Sequence, residues 1–384
     1  MPQGFALLGC LLKILLRHSM TETPHQSTTV PLISVLLCAY NSEKFIEEAI
    51  ESILSQTFRD FELVIVLDAP TDNTRKKVRA FKDSRIRLIE NAQNLGLTRS
   101  LNVGLKYCRG TWVARQDADD VSFPHRLESQ LRYLSQNPQT VLLGSAAKWI
   151  NRSGKEIGEV KVPSQWEEIL WQFHFENPFI HSSIIFKKDL VLGLGGYNEN
   201  FKRTQDFELW SKIVPFYPVA NLKEALVKYR THENSISSTQ AERSNTYGHL
   251  VFQTYGKEMG ISPENAKALG TIRATRYQSE DIPLLWKALN YLPQLNSDFL
   301  KESPHLKSSV YLKQQHAKHL ESVAMKSSGV SNALSFCALY QMGRVSWKSW
   351  LQFSYLRWLL RMGSGVFGAE AFQKLRSLKY KLAQ

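Results

Sequence analysis

The sequence predicts a doubly wound α/β layer followed by a helical extension, and three observations carry that prediction. First, apolar β-rich runs alternate with segments of helical apolar spacing from residue 31 to residue 117, the pattern of βαβ units. Second, the runs end in polar or acidic clusters, Tyr40-Asn41, Asp68 and Asp117 to Asp120, and such sheets bind ligands outside the carboxyl ends of their strands. Third, the β-rich runs fade near residue 240 and helical patterns dominate from there on.

Each element has a local reason. "PLISVLLCAYN" is a continuous apolar run, as expected of a strand buried on both faces. In "SEKFIEEAIESILSQT", Phe45, Ile46, Ala49, Ile50, Ile53 and Leu54 recur at helical spacing, with Ser42 as the expected cap. "FELVIVLDAP" is the second strand, "TDNTRKKVRAFK" the second helix and "IRLIENA" the third strand. "LTRSLNVGLKYCRG" is a helix closed by Gly110, and "TWVARQD" is the fourth strand. A helix at "PHRLESQLRYLSQN" and a strand at "TVLLGSAAKWI" follow, then a polar turn, "NRSGKEIG". Short strands and a helix at "QDFELWSKIV" complete the layer.

A chain of 384 residues exceeds the roughly 250–300 residues that one core usually serves. Three regions are expected: an amphipathic segment over 1–30, the α/β domain over 31–240, and a basic, aromatic-rich helical region over 241–384. Hydrophobic residues make up 43% and charged residues 22%, close to ordinary soluble globular composition and enough for a sizeable core. Cys10, Cys38, Cys108 and Cys337 form no C-x-x-C pair, which points to a reducing compartment and to neither zinc nor a disulfide framework.

The net charge of +13 suits an anionic partner, whether nucleic acid, a membrane surface or a polyphosphate, and equally suits a solvated surface that serves only solubility. No nucleic-acid-binding signature accompanies it, and nucleic acid is not expected as a partner. The opening "GFALLGCLLKILLRHSM" falls short of the roughly 20 residues of a spanning helix. Its charges lie inside and behind the apolar run, unlike a secretory signal. The cytoplasm is the expected location, with peripheral contact on the inner face of the membrane through 1–20 or 341–384. In the latter stretch Trp347, Trp350, Phe353, Tyr355 and Trp358 interleave with Lys348, Arg357 and Arg361. That pattern fits either a membrane interface or a helical bundle with an aromatic core.

"RQDADD" places Asp117, Asp119 and Asp120 within four positions at a strand end. Residues two apart on a strand share a side, so Asp117 and Asp119 can face one Mg²⁺ or Mn²⁺, which takes carboxylates plus substrate phosphate. Asp120 precedes a helix and reads as a cap or as a support behind the two ligands. "DADDV" also matches the Asp-x-Asp-x-Val signature of haloacid-dehalogenase-like phosphotransferases. There the motif ends the first strand, whereas here it ends the fourth.

Residues 32 to 235 resemble the family 2 glycosyltransferases. Five motifs carry the resemblance in the family's order: "SVLLCAYNSEKFIEEAIESILSQTFRDFELVIVLDAPTDNT", "NLGLTRSLNVGL", "DADDVSFPHRLESQ", "HSSIIFKKDLVLGLGGYNENFKRTQDFELWSKI" and "YRTHENSIS". The resemblance implies a GT-A-type doubly wound mixed sheet with a helical C-terminal extension. It implies a metal-dependent inverting transfer from a nucleotide-diphosphate sugar, UDP-linked in most of the family, to a saccharide or lipid-linked acceptor hydroxyl. Surface polysaccharide or glycolipid synthesis would be the setting.

By the same resemblance, Ala39, Tyr40, Asn41 and Glu43 line the base and ribose, Asp68 meets the base, and Arg99 lies near the diphosphate or the base. Asp117 contacts ribose and metal, Asp119 ligates the metal, and His232 contacts metal or phosphate. His181 borders the acceptor, and Asp206 is the general base. Two positions depart from the pattern: Gln205 stands where an acid usually precedes the base, and "DAPTD" replaces Asp-Asp-x-Ser. Both departures fit the alternative of a catalytically weak or inactive sugar-nucleotide-binding relative. A nucleotidyltransferase of related fold would carry glycine in "CAYNSEKF", and none is there.

Overall fold

A computed structural model describes residues 30–232, 255–256, 259–272, 279–302 and the single residues 317, 320, 323 and 338. The expected N-terminal amphipathic segment, the boundary near 240 and the aromatic stretch 341–384 lie outside the described residues.

Among the described residues, nine strands form one sheet in the order β3-β2-β1-β4-β8-β6-β9-β5, with β7 paired to β6. β1 (Ile33–Ala39), β2 (Phe61–Leu67), β3 (Ile86–Glu90) and β4 (Trp112–Asp117) are parallel. The other strands are β5 (Val121–Ser122), β6 (Leu142–Ile150), β7 (Glu156–Val160), β8 (Ile185–Lys187) and β9 (Val219–Arg230). β8 runs antiparallel to both β4 and β6, and β9 runs parallel to β6. The sheet is therefore mixed.

The helices are α1 (Ile46–Leu54), α2 (Thr74–Ala80), α3 (Leu97–Tyr107), α4 (Arg126–Gln136), α5 (Trp166–Phe173), α6 (Lys188–Gly193) and α7 (Gln205–Ser211). All seven residues of β1 and all seven of β2 are buried, because helices cover both faces of this part of the sheet. Side chains alternate between those faces. Ile33, Val35, Leu37 and Ala39 pack with α1, Val78 of α2 and Leu127 of α4. Leu36 and Cys38 pack with Leu101 and Leu105 of α3 and with Phe207 and Trp210 of α7. A Cβ at Gly104 would stand 2.3 Å from Leu36 Cδ1, so α3 approaches the sheet closely only because that residue is glycine. Burial pushes the thiols of Cys38 and Cys108 up to about 12, and both cysteines are packing residues.

Two further helices, α8 (Pro263–Thr271) and α9 (Ile282–Glu302), share an apolar cluster with Trp171 and Phe175. Ser262 caps α8 through its hydroxyl, and Pro263 opens the helix, a favourable start on both counts. No helix among the described residues is long and apolar enough to cross a membrane.

Candidate functional site

The parallel register sets Ala39 beside Leu67 and Cys38 beside Asp117. The loops after β1, β2 and β4 therefore open on one edge of the sheet. They surround a cavity of about 530 Å³ lined by, among others, Ala39, Tyr40, Asn41, Glu43, Asp68, Asp117, Asp119 and His232.

Several of these side chains brace the cavity wall. Asn41 has a left-handed backbone (φ 47°), and its Oδ1 accepts from the Thr71 amide at 2.9 Å. Glu43 Oε2 accepts from the Asn73 amide and side chain, both at 3.0 Å. Asp72 in return accepts from the Glu43 amide. Asp68, 3% exposed, accepts from Asn91 Nδ2 and the Leu95 amide at 2.8 Å and from the Gly96 amide at 2.9 Å. Its carboxylate organises the loop that enters α3. Ser42 was expected to cap α1. The helix starts at Ile46 without a side-chain cap; the Ser42 carbonyl instead accepts from the Phe45 and Ile46 amides, and its hydroxyl donates to the Tyr40 carbonyl.

The acidic loop is asymmetric. Asp117 pairs with the fully buried Arg115 and accepts from Ser182 Oγ at 2.7 Å. Burial alone would raise its carboxyl, but the Arg115 charge, His181 and the Ser182 hydrogen bond hold it below the usual value. Asp119 goes the other way: burial and the neighbouring Asp117 charge raise it against the opposing contact of His232 Nε2 at 3.0 Å. That uncompensated negative charge is what a divalent cation relieves. Among the described residues no three His, Cys, Asp or Glu side chains form a ready metal cage. Two carboxylates with room for phosphate and water still fit Mg²⁺ or Mn²⁺, which keep open positions for substrate oxygen.

Asp120 does not cap a helix. α4 begins at Arg126 with no side-chain cap, and Asp120 Oδ1 instead accepts from the Arg230 amide at 2.7 Å. The turn thereby ties to β9. Beneath it, the buried Arg126 donates to Gln130, Gln116, Ser122 and the Arg115 and Ile184 carbonyls. All its N–H groups have acceptors, as a buried guanidinium requires.

Asp206 lies in the first turn of α7, outside the cavity lining, and accepts from Asn177 Nδ2 at 2.8 Å. Its neighbour Gln205 is 4% exposed. His181 feels both the Asp117 and Asp206 charges; burial and then Arg115 keep its pKa low against them. One segment thus spans from one carboxylate to the other: Asn177 holds Asp206, and Ser182 holds Asp117. Arg99 is exposed, pairs with Glu199 at 3.0 Å and does not line the cavity.

Sequence reasoning passed over Arg115, Asn177, Ser182 and Arg230. Arg115 carried a signal, being a charge inside a buried apolar strand. The others depend on contacts across 29 to 111 residues, which local patterns do not carry.

The mixed sheet thus carries an acidic cavity at the carboxyl ends of its parallel strands. Residues 34–183 match the family model of glycosyl transferase family 2. The chain is 33% identical over 251 residues to the amylovoran biosynthesis glycosyltransferase AmsE of Erwinia amylovora, covering 64% of this chain and 91% of that one. It is 34% identical over 212 residues to the O-antigen biosynthesis glycosyltransferase WbnJ of Escherichia coli, covering 53% and 81%. The fold is similar to that of the mannosyltransferase PcManGT from Pyrobaculum calidifontis in complex with GDP-Man and Mn²⁺, with TM-score 0.50, 18% identity, and 88% and 93% of the two chains covered. The chain belongs to glycosyltransferase family 2: it is a glycosyltransferase with the GT-A fold.

Proposed function

We propose that the enzyme transfers a sugar, with inversion, from a nucleotide-diphosphate sugar to an acceptor hydroxyl, in surface polysaccharide or glycolipid synthesis. The observation that carries this reading is the meeting of Asp117, Asp119 and His232 with the Tyr40 and Asp68 loops around one cavity. The named relatives in amylovoran and O-antigen biosynthesis support the setting, and a saccharide or lipid-linked acceptor follows from it. The family resemblance supports UDP as the carrier.

Ala39 and Tyr40 form the wall for base and ribose, with Asn41, Glu43 and Asp68 keeping that wall in place. Asp117 and Asp119 would hold Mg²⁺ or Mn²⁺, with His232 beside Asp119; a cation there would supply positive charge to the departing nucleoside diphosphate. Asp206 takes the acceptor hydroxyl's proton as that oxygen attacks the anomeric carbon and the bond from that carbon to the diphosphate oxygen breaks, releasing the nucleoside diphosphate. Asn177 donates to one carboxylate oxygen of Asp206 and leaves the other for the proton. One displacement suffices, so no covalent intermediate is needed. Peripheral membrane contact through 1–20 or 341–384 rests on the composition of those segments.

The test is a thermal-shift screen of UDP- and GDP-sugars with and without Mn²⁺ or Mg²⁺. A ligand that binds only the folded state raises the melting temperature. UDP-sugar with metal should stabilise the enzyme most. Stabilisation by GDP-sugar instead would overturn the base assignment, and no shift with any donor would overturn the site.

A further inference from the structure

Arg99 pairs with Glu199 and does not line the cavity, so a guanidinium for the phosphates has to come from elsewhere. We propose that Arg152, at the tip of the β6–β7 hairpin, grips the donor's diphosphate. The inference rests on the donor-site reading and adds a phosphate-binding residue to it.

Arg152 lines the same cavity as Asp117, Asp119 and His232. Its guanidinium is exposed and has no hydrogen-bond or ion-pair partner among the described residues. Most cations near the site are already engaged: Arg115 pairs with Asp117, and Arg230 with Glu48. Lys44 also lines the cavity, but it is a flexible point charge, whereas a guanidinium presents a fork that matches two phosphate oxygens.

The backbone beneath Arg152 is held firmly. Asn151 Oδ1 accepts from the Ser153 amide at 3.0 Å, the Ser153 hydroxyl at 2.8 Å and the Lys155 amide at 3.0 Å. Gly154 takes φ 84° to close the turn. Arg230, whose side chain is 2% exposed, donates through Nη1 to the Arg152 carbonyl at 3.2 Å and through Nε to the Asp119 carbonyl at 2.8 Å. One rigid fork therefore sets the hairpin tip beside the candidate metal loop. A diphosphate ligated through Asp119's cation would lie within the sweep of Arg152. The Arg152 charge also faces the oxygens that gain negative charge as the sugar departs.

The experiment is calorimetric titration of the full chain with Mn²⁺ and, in turn, uridine, UMP and UDP, then the guanosine series. Arg152→Ala should weaken the preferred diphosphate at least about tenfold, the loss expected for about 1.4 kcal/mol of charged hydrogen bonding. It should leave the nucleoside unchanged. Arg152→Lys should fall between the two, and Arg132→Ala, which removes an exposed charge elsewhere, should match wild type. Equal diphosphate affinity in Arg152→Ala and wild type would overturn the inference while leaving the donor site standing. Equal weakening of nucleoside and diphosphate would also overturn it, since that marks a wall residue and not a phosphate contact. Wild type that binds neither diphosphate series would overturn the donor-site reading itself, and this inference with it.

Discussion

Asp68→Asn separates two roles for one carboxylate. The side chain is buried and accepts three hydrogen bonds, two at Oδ1 from Asn91 and Leu95 and one at Oδ2 from Gly96. Asparagine keeps the shape but turns one oxygen into a donor. With its carbonyl at the Oδ1 position, it retains two neutral bonds and sets its NH₂ against the Gly96 N–H. One charge-assisted bond is lost, and a buried donor is left without an acceptor. Each such change costs about 1.5 kcal/mol, so the expected destabilisation is about 3 kcal/mol. For a domain of this size each kcal/mol moves Tm by roughly 2–4 °C, which predicts a drop of about 6–12 °C in a thermal melt followed by circular dichroism. Donor binding should weaken as well, because the loop that ends at Gly96 forms part of the cavity wall. A variant that melts within about 2 °C of wild type yet loses donor binding would refute the reasoning. Asp68 would then be a ligand contact and not the organiser of its loop.

Asp206→Asn should abolish sugar transfer in a product assay while donor affinity by calorimetry stays within about twofold; turnover near wild type would remove Asp206 from the chemistry. Asp119→Ala should remove the dependence of nucleotide binding on Mn²⁺, and undiminished metal-dependent binding would refute the ligand assignment. Glu62 tests linkage far from the cavity. Burial would raise its carboxyl, but hydrogen bonds from the Ser34 hydroxyl and from the Arg109 amide and guanidinium hold it below 4.5. A depressed folded-state value contributes stability that is present above the ordinary value and lost as pH falls through the folded one. Glu62→Gln should therefore lower Tm at neutral pH and flatten its fall below pH 4.5, whereas an acid limb as steep as wild type would contradict the assignment.

Periodicity and strand-end polarity were enough to read the α/β layer. Burial on both faces leaves β1 and β2 apolar apart from Ser34 and Glu62, which hydrogen-bond to each other, and helical spacing is a local property. The mixed character of the sheet came only through the family resemblance, because strand direction depends on partners such as β4 and β8, whose pairing joins residues 112–114 to 185–187. The acidic cluster was legible for the same local reason: three carboxylates adjoin in the chain. Their division of labour was not. Arg115 and Ser182 engage Asp117, His232 meets Asp119, and the Arg230 amide draws Asp120 into β9 and away from any helix cap. Each of those contacts except Arg115's spans at least 65 residues. The sequence by itself determined which residue types reach the sheet edge, since that follows from alternation and turn chemistry along the chain. Only the tertiary structure decided which of them face the cavity and which brace its wall, because a side chain's role there is set by hydrogen-bond partners that folding alone brings within reach.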